Sequence, residues 1–183
     1  SKVDSVYIPG KTASRNISDL SNIIYTPVLS DKSYFKNTFI IEIERGCMNR
    51  CAFCTASYLN LPIRYNEYKE ILKTIDLGLQ YTNKIALLGA QISAHPDFDK
   101  IMYYIRKKID NGTNIELGIS SLRADTITPN MVQTLVLGGQ RNSTIAIEAA
   151  SERLRKFINK NLSCFISDFF RCILSTNAGI SSI

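Results

Sequence analysis

From residue 39 onward, short continuous apolar runs alternate with longer stretches in which apolar residues recur every third or fourth position. The runs "FIIEI" (39–43), "KIALLG" (84–89), "IELGIS" (115–120) and "STIAIE" (143–148) are brief and rich in β-branched residues, which predicts buried strands. After the first run the period changes to that of a helix. Over 66–81 a capping Asn66 precedes Tyr68, Ile71, Leu72, Ile75 and Leu79 on one face. A second helix opens at Pro96, follows Phe98, Ile101, Met102, Ile105 and Ile109, and stops at Asn111-Gly112. A third begins at Thr128-Pro129, turns Met131, Val132, Leu135 and Val136 inward, and ends at Gly138-Gly139. Ser151 caps a short helix carrying Leu154, Phe157 and Ile158, and a last helix is predicted over about 165–175, before "NAGISSI".

Strand–helix alternation at this rhythm predicts parallel βαβ units, with right-handed crossovers that bring the strand C-terminal ends to one edge. The fold class is therefore α/β with about four βα units, and "GISSI" reads as the opening of a fifth strand. Four parallel strands do not close a barrel, so the expectation is an arc of a barrel or an open sheet. Residues 1–38 scatter Pro, Gly, Ser and Asn without a sustained period. They read as a wrapping or linking segment ahead of a core over 39–183.

Composition changes this picture little. The chain has 183 residues and a net charge of +6, but its cations are spread out, and Arg106, Lys107 and Lys108 read as the wet side of a helix. Charge of this size is weak support for binding nucleic acid. No apolar run reaches membrane-spanning length and no leader pattern opens the chain, which predicts a soluble, cytoplasmic protein.

The cysteines change it a great deal. Of five, Cys47, Cys51 and Cys54 cluster directly after the first strand, while Cys164 and Cys172 lie more than a hundred residues away. An odd total argues against a fully paired disulfide framework, and a tight cluster points to metal. Loops beyond strand C-termini are where α/β folds place ligand chemistry. Zinc would need a fourth ligand from Cys164, Cys172 or His95. Cys164 and Cys172 read instead as plain buried residues, and His95 as a turn residue at a helix start. An iron–sulfur cluster on three thiolates leaves one iron open for a ligand. Gly46 permits a turn into this loop, and Arg50 within it reads as solvated. No Ser–His–Asp grouping, phosphate loop or persuasive carboxylate dyad appears, and no residue is singled out as catalytic.

The Cys47-x3-Cys51-x2-Cys54 spacing after a first barrel strand resembles the signature of the radical S-adenosylmethionine (SAM) enzymes. "SYFKNTFIIEIERGCMNRCAFC", "YTNKIALLGAQISAHPDF", "SSLRADTITPNMVQTLVLGGQRNSTIAIEAASERLRKFINKNLS" and "NAGISSI" resemble the branch that carries a cobalamin (B12)-binding domain, over roughly residues 25–183. The resemblance implies a partial (βα) barrel of the radical SAM type. It implies that Cys47, Cys51 and Cys54 ligate a [4Fe–4S] cluster, with SAM on the fourth iron. One electron then cleaves SAM to methionine and a 5′-deoxyadenosyl radical. It further implies a reductant such as flavodoxin or ferredoxin, and in full-length relatives cobalamin and further barrel strands, neither visible in this sequence. Phe53 matches the aromatic residue beside the adenine. Gly89-Ala90-Gln91 stands where the superfamily has Gly-Gly-Glu at the SAM amino group, with Gly89 alone matching and a turn glycine as the alternative. Ser121, Arg123 and Glu148 match positions at the ribose and methionine parts of SAM. Glu148 can accept from ribose hydroxyls and Arg123 can fork onto a carboxylate. The alternative is that Glu148 pairs with Arg123 or Arg153. The substrate is not legible, and tRNA or protein modification stays open. The competing function is a non-catalytic metal- or cluster-binding module that needs a partner chain to complete the barrel.

Overall fold

The computed structural model describes residues 20, 22–120 and 122–162 of the chain. Three parallel strands form its centre: β1 (Phe39–Glu42), β4 (Lys84–Leu88) and β5 (Glu116–Ile119), in the spatial order β1–β4–β5. A short antiparallel ribbon, β2 (Glu44–Arg45) with β3 (Arg64–Tyr65), stands beside them. Phe39, Ile85 and Leu117 share one row of the parallel sheet, and Ile41, Leu87 and Ile119 another. These rows face helices α2 (Tyr68–Leu79), α3 (Phe98–Asp110) and α4 (Pro129–Leu137), whose Ile71, Ile75, Ile101, Met102, Ile105, Met131 and Leu135 complete one buried core. Parallel strands with helices on one face are the expected arc of a (βα) barrel. The intervening row, Ile40–Ala86–Gly118, points the other way. It floors an open, largely apolar cleft of about 810 Å³ that also takes in Leu88 and Gln140. Residues 24–26 run antiparallel along the outer edge of β1, with Tyr25 stacked on Phe39 at 5.1 Å.

Helix ends follow their local chemistry. The Thr128 hydroxyl accepts from the Met131 N–H, with Pro129 in the first turn, and the Ser151 hydroxyl accepts from Leu154 N–H at the start of α5 (Glu152–Phe157). Helix α3 ends through Asn111 and a left-handed Gly112. No helix of the described residues is long and apolar enough to cross a membrane.

Five expectations change. Asn66 does not cap α2, which starts two residues later behind Glu67. Asn66 is buried instead, donating from Nδ2 to the Glu42 carbonyl and accepting from His95 Nε2 on its own carbonyl. Residues 143–148 form no strand, only a parallel bridge between Leu122 and Ile145. They lie at the margin of the sheet with most side chains exposed, so among the described residues the apolar run there has no cover on its outer side. Val136 is exposed on α4, and α3 begins at Phe98 behind Asp97 rather than at Pro96. On α5, Leu154 (44% exposed) and Phe157 (83%) face outward. The residue of α5 that is buried is Arg155. The helix over about 165–175, the opening of a fifth strand, Cys164 and Cys172 lie outside the described residues, as does Ser121.

Candidate metal centre

The first strand delivers the chain to the site. After β1 the ladder continues for one residue, Ile43 N–H donating to Leu88 O, and the short ribbon β2–β3 then clasps the base of a loop over 46–63. Arg45 folds back onto Glu42 in a bidentate pair (2.8 and 2.5 Å), which commits its guanidinium to that carboxylate. Gly46 turns at φ +99°, and a Cβ there would collide with the Asn60 carbonyl across the loop. Only glycine meets both demands.

The three thiols follow. All are free; Cys47 and Cys51 are buried and Cys54 is half-buried. The Cys54 N–H donates to Cys51 O at 3.0 Å, and Arg50 between the first two cysteines takes a left-handed φ of +47°. Asn49 Nδ2 donates to Cys47 Sγ at 3.3 Å, and Cys47 Sγ lies 3.6 Å from Gln91 Oε1, which Asn49 Nδ2 also reaches. Burial pushes the Cys51 thiol upward in pKa; Lys160 and Arg123 oppose that rise, while Cys47 and Cys54 add to it. Among the described residues, no three His, Cys, Asp or Glu side chains converge on one ion-sized position. Three thiols in one loop are nonetheless the soft donor set that iron–sulfur clusters take, and there each sulfur meets a different iron.

Behind the loop lies a buried carboxylate that the sequence reading missed. Glu44 is 1% exposed. Its Oε1 accepts from the Gln91 N–H, and its Oε2 has no hydrogen-bond partner among the described residues. Gly89 is required by this packing, since a Cβ there would run into the Glu44 side chain and Ile92. Period-two alternation was the available signal, as it sets Ile40, Glu42 and Glu44 opposite Phe39, Ile41 and Ile43. Burial pushes the Glu44 pKa up to about 7, against an opposing hydrogen bond from Gln91. In the unfolded chain the group ionises near its ordinary value, so between about pH 4.5 and 7 the folded state holds the extra proton. Stability of the cluster-free chain therefore falls as pH rises through that window, by about 2 kcal/mol with allowance for solvent near the site. Glu44→Gln should remove this slope when urea midpoints at pH 5 and 7.5 are compared. The same slope in both proteins would reassign it to another group.

His95 is also buried, but both ring nitrogens are engaged. Nδ1 accepts from the Asp97 N–H and Nε2 donates to Asn66 O, which fixes the tautomer. Burial lowers its pKa, and both nitrogens are already committed to backbone partners.

The remaining candidates meet along one segment. Lys160 Nζ sits 3.1 Å from Glu148 Oε1 and 5.9 Å from the Phe53 ring centroid, so Phe53 and Glu148 share a cation. Glu148 itself has a left-handed backbone. Arg123 pairs with Asp125 at 2.7 Å and donates to the Asn161 carbonyl. Thus Glu148 pairs with Lys160 rather than with Arg123 or Arg153. Gly89 O lies 3.5 Å from the Ser120 hydroxyl. Asn159 Nδ2 donates to Asn49 O and Arg50 O, and Ala52 N–H donates to Ile158 O. Asn49, Asn159 and Lys160 had no periodic signal in the sequence.

Against this geometry, the sequence model of the Radical SAM superfamily matches residues 41–164. An uncharacterized protein of Methanocaldococcus jannaschii is 35% identical over 141 residues, covering 76% of this chain and 30% of that protein. The chain thus spans about a third of the length of that relative.

Proposed function

Because this chain belongs to the radical SAM superfamily, we propose that Cys47, Cys51 and Cys54 hold a [4Fe–4S] cluster whose fourth iron takes SAM, and that the protein cleaves SAM reductively. The observation that carries this reading is the set of three free thiols, two of them buried, on one loop at the C-terminal end of the first parallel strand. When bound, the cluster supplies the electron that breaks SAM into methionine and a 5′-deoxyadenosyl radical. An external reductant such as a flavodoxin or ferredoxin delivers that electron.

The chain's own residues hold, orient and shield. The three thiols lose their protons on metal uptake, a change that Lys160 and Arg123 favour at Cys51. Asn49 donates to Cys47 Sγ and so holds the direction in which that ligand points. The half-exposed Phe53 ring offers a face to the adenine, and Lys160 orders that ring. Glu148, Ser121 and Arg123 serve the ribose and methionine parts of SAM, with Glu148 accepting from hydroxyls while keeping its pair with Lys160. Arg123 already spends much of its fork on Asp125 and Asn161, so its share in binding SAM is through one remaining N–H face or through charge. Backbone groups of Gly89 and its neighbours serve the amino group. Residues 39–183 form the catalytic core and 1–38 its wrapping segment.

A second reading has one observation in its favour. The Ile40–Ala86–Gly118 face and Leu88 open onto a large apolar cleft, and residues 143–148 stand at the sheet margin with little cover from the other described residues. That surface suits further barrel strands, supplied by another chain, with this protein as a cluster-binding module that acts only in the assembly. The test of the main reading is electron paramagnetic resonance (EPR) of the full chain, reconstituted anaerobically with iron and sulfide, reduced, and compared with and without SAM.

A further inference from the structure

Four consecutive residues, "INKN" (158–161), each hold a different part of the candidate centre. Ile158 O receives the Ala52 N–H at 2.9 Å, between the second and third cysteines. Asn159 Nδ2 donates to Asn49 O at 3.1 Å and to Arg50 O at 2.8 Å, between the first and second. Lys160 reaches Phe53 and Glu148, and Asn161 O receives the Arg123 guanidinium at 2.7 Å. We propose that this segment is the frame that sets the shape of the cysteine loop, with Asn159 as the positioning residue that spaces the three thiols for a cluster; the proposal rests on the metal reading above.

The physical argument starts from the loop itself. Arg50 is left-handed; its carbonyl takes the Tyr58 hydroxyl at 3.1 Å from within the loop and still accepts a second donor, while the Asn49 carbonyl receives its donor from outside the loop. A single amide group carries two N–H donors, and Asn159 spends them on these two carbonyls. Its own backbone is left-handed at φ +56°, a conformation Asn tolerates better than most residues. That conformation ends α5, with Asn159 N–H donating to Lys156 O and Lys160 N–H to Arg155 O. One residue therefore finishes a helix with its backbone and braces a loop about 110 positions away with its side chain. Arg155 fastens the frame in turn. Buried on α5, it donates to the carbonyls of Ala149, Ala150 and Leu162 on either side of the helix. A loop that contains three ligands and no regular ladder needs such bracing, because ligand spacing fails when the chain around it relaxes.

Asn159→Gly isolates the side chain, since glycine adopts the left-handed backbone at no steric cost. Asn159→Asp keeps the size but turns the donors into acceptors facing two carbonyls. In the full chain reconstituted with ferrous iron and sulfide, both variants should lose iron to a competing chelator about 10-fold more readily than the native sequence, the low end for an outer-shell partner. The midpoint potential of the cluster should shift, and exchange of the Ala52 amide hydrogen should speed up even before iron is added. Iron retention, potential and exchange all equal to those of the native sequence would overturn the frame while leaving the metal reading intact. A native chain that takes up no cluster would overturn both together, and the two failures are told apart by which protein shows them.

Discussion

Cys51→Ala should abolish cluster assembly, whereas Cys172→Ala should leave iron uptake unchanged. Cys51 is the middle thiol of the loop and is buried, with Cys47 on one side and Cys54 one turn away through the Cys54 N–H to Cys51 O bond. Its burial keeps it protonated in the cluster-free chain, so metal uptake must displace a proton there, and the affinity of the site should rise with pH. An alanine leaves two thiols and an apolar methyl where the third donor was. Loss of an outer-shell partner alone costs about 10–100-fold in metal affinity, and loss of a ligand costs more. Iron and acid-labile sulfide per chain, measured after identical reconstitution, decide the matter. Equal loading in the two variants would remove Cys51 from the ligand set.

Gly46→Ala should be among the most damaging single methyl additions in the chain. The residue stands at φ +99°, where an L side chain is strained by about 1–3 kcal/mol, and its new Cβ would press on the Asn60 carbonyl and the Ile63 backbone. Neither neighbour is the yielding end of a flexible side chain. Both belong to the far limb of the loop that β2 and β3 clasp, so relief requires the ribbon to open. A loss of about 3 kcal/mol or more is expected, together with loss of iron uptake. Gly112→Ala is the matched control. It too has a positive φ, +88°, but a Cβ there meets nothing within 4 Å, so strain alone remains, at about 1 kcal/mol. Urea unfolding of the three cluster-free proteins separates the terms. Equal losses in the two variants would mean that the collision at Asn60 is relieved without cost.

The sheet was legible because its signal is local and strong. "FII", "KIALL" and "ELGI" are apolar runs between helical periods, and their alternate residues do pack under α2, α3 and α4. Thr128 and Ser151 were legible for the same reason, since a cap acts within one turn of its own helix. Asn66 carries the same local signature but lies where Glu42 O and His95 both need a partner, and those tertiary bonds displaced the cap. "STIAIE" has the composition of a strand, yet a ladder depends on what lies on either side, and there the described residues offer a single bridge. On α5 the side chain that turns inward is Arg155, because three carbonyls need it.

The candidate site divides along the same line. Three cysteines at fixed spacing announce themselves, because the chemistry is written in residue type and interval. Glu44, Gln91, Asn159 and Lys160 act across 12 to 110 positions of sequence, and apart from the period-two alternation that runs through Glu44, nothing in their immediate neighbours marks them. Glu44 is the clearest case, a carboxylate one residue past the first apolar run that the fold seals behind the loop, with one oxygen unpaired among the described residues.

The central claim is that three thiolates leave one iron open for SAM, and EPR of the reduced, reconstituted chain before and after SAM is added tests it most directly. The account predicts a [4Fe–4S]⁺ signal whose g-values shift when SAM is added, and the same signal without the shift when methionine-free 5′-deoxyadenosine replaces it. A cluster signal indifferent to SAM, or a chain that binds zinc and assembles no cluster, would contradict it.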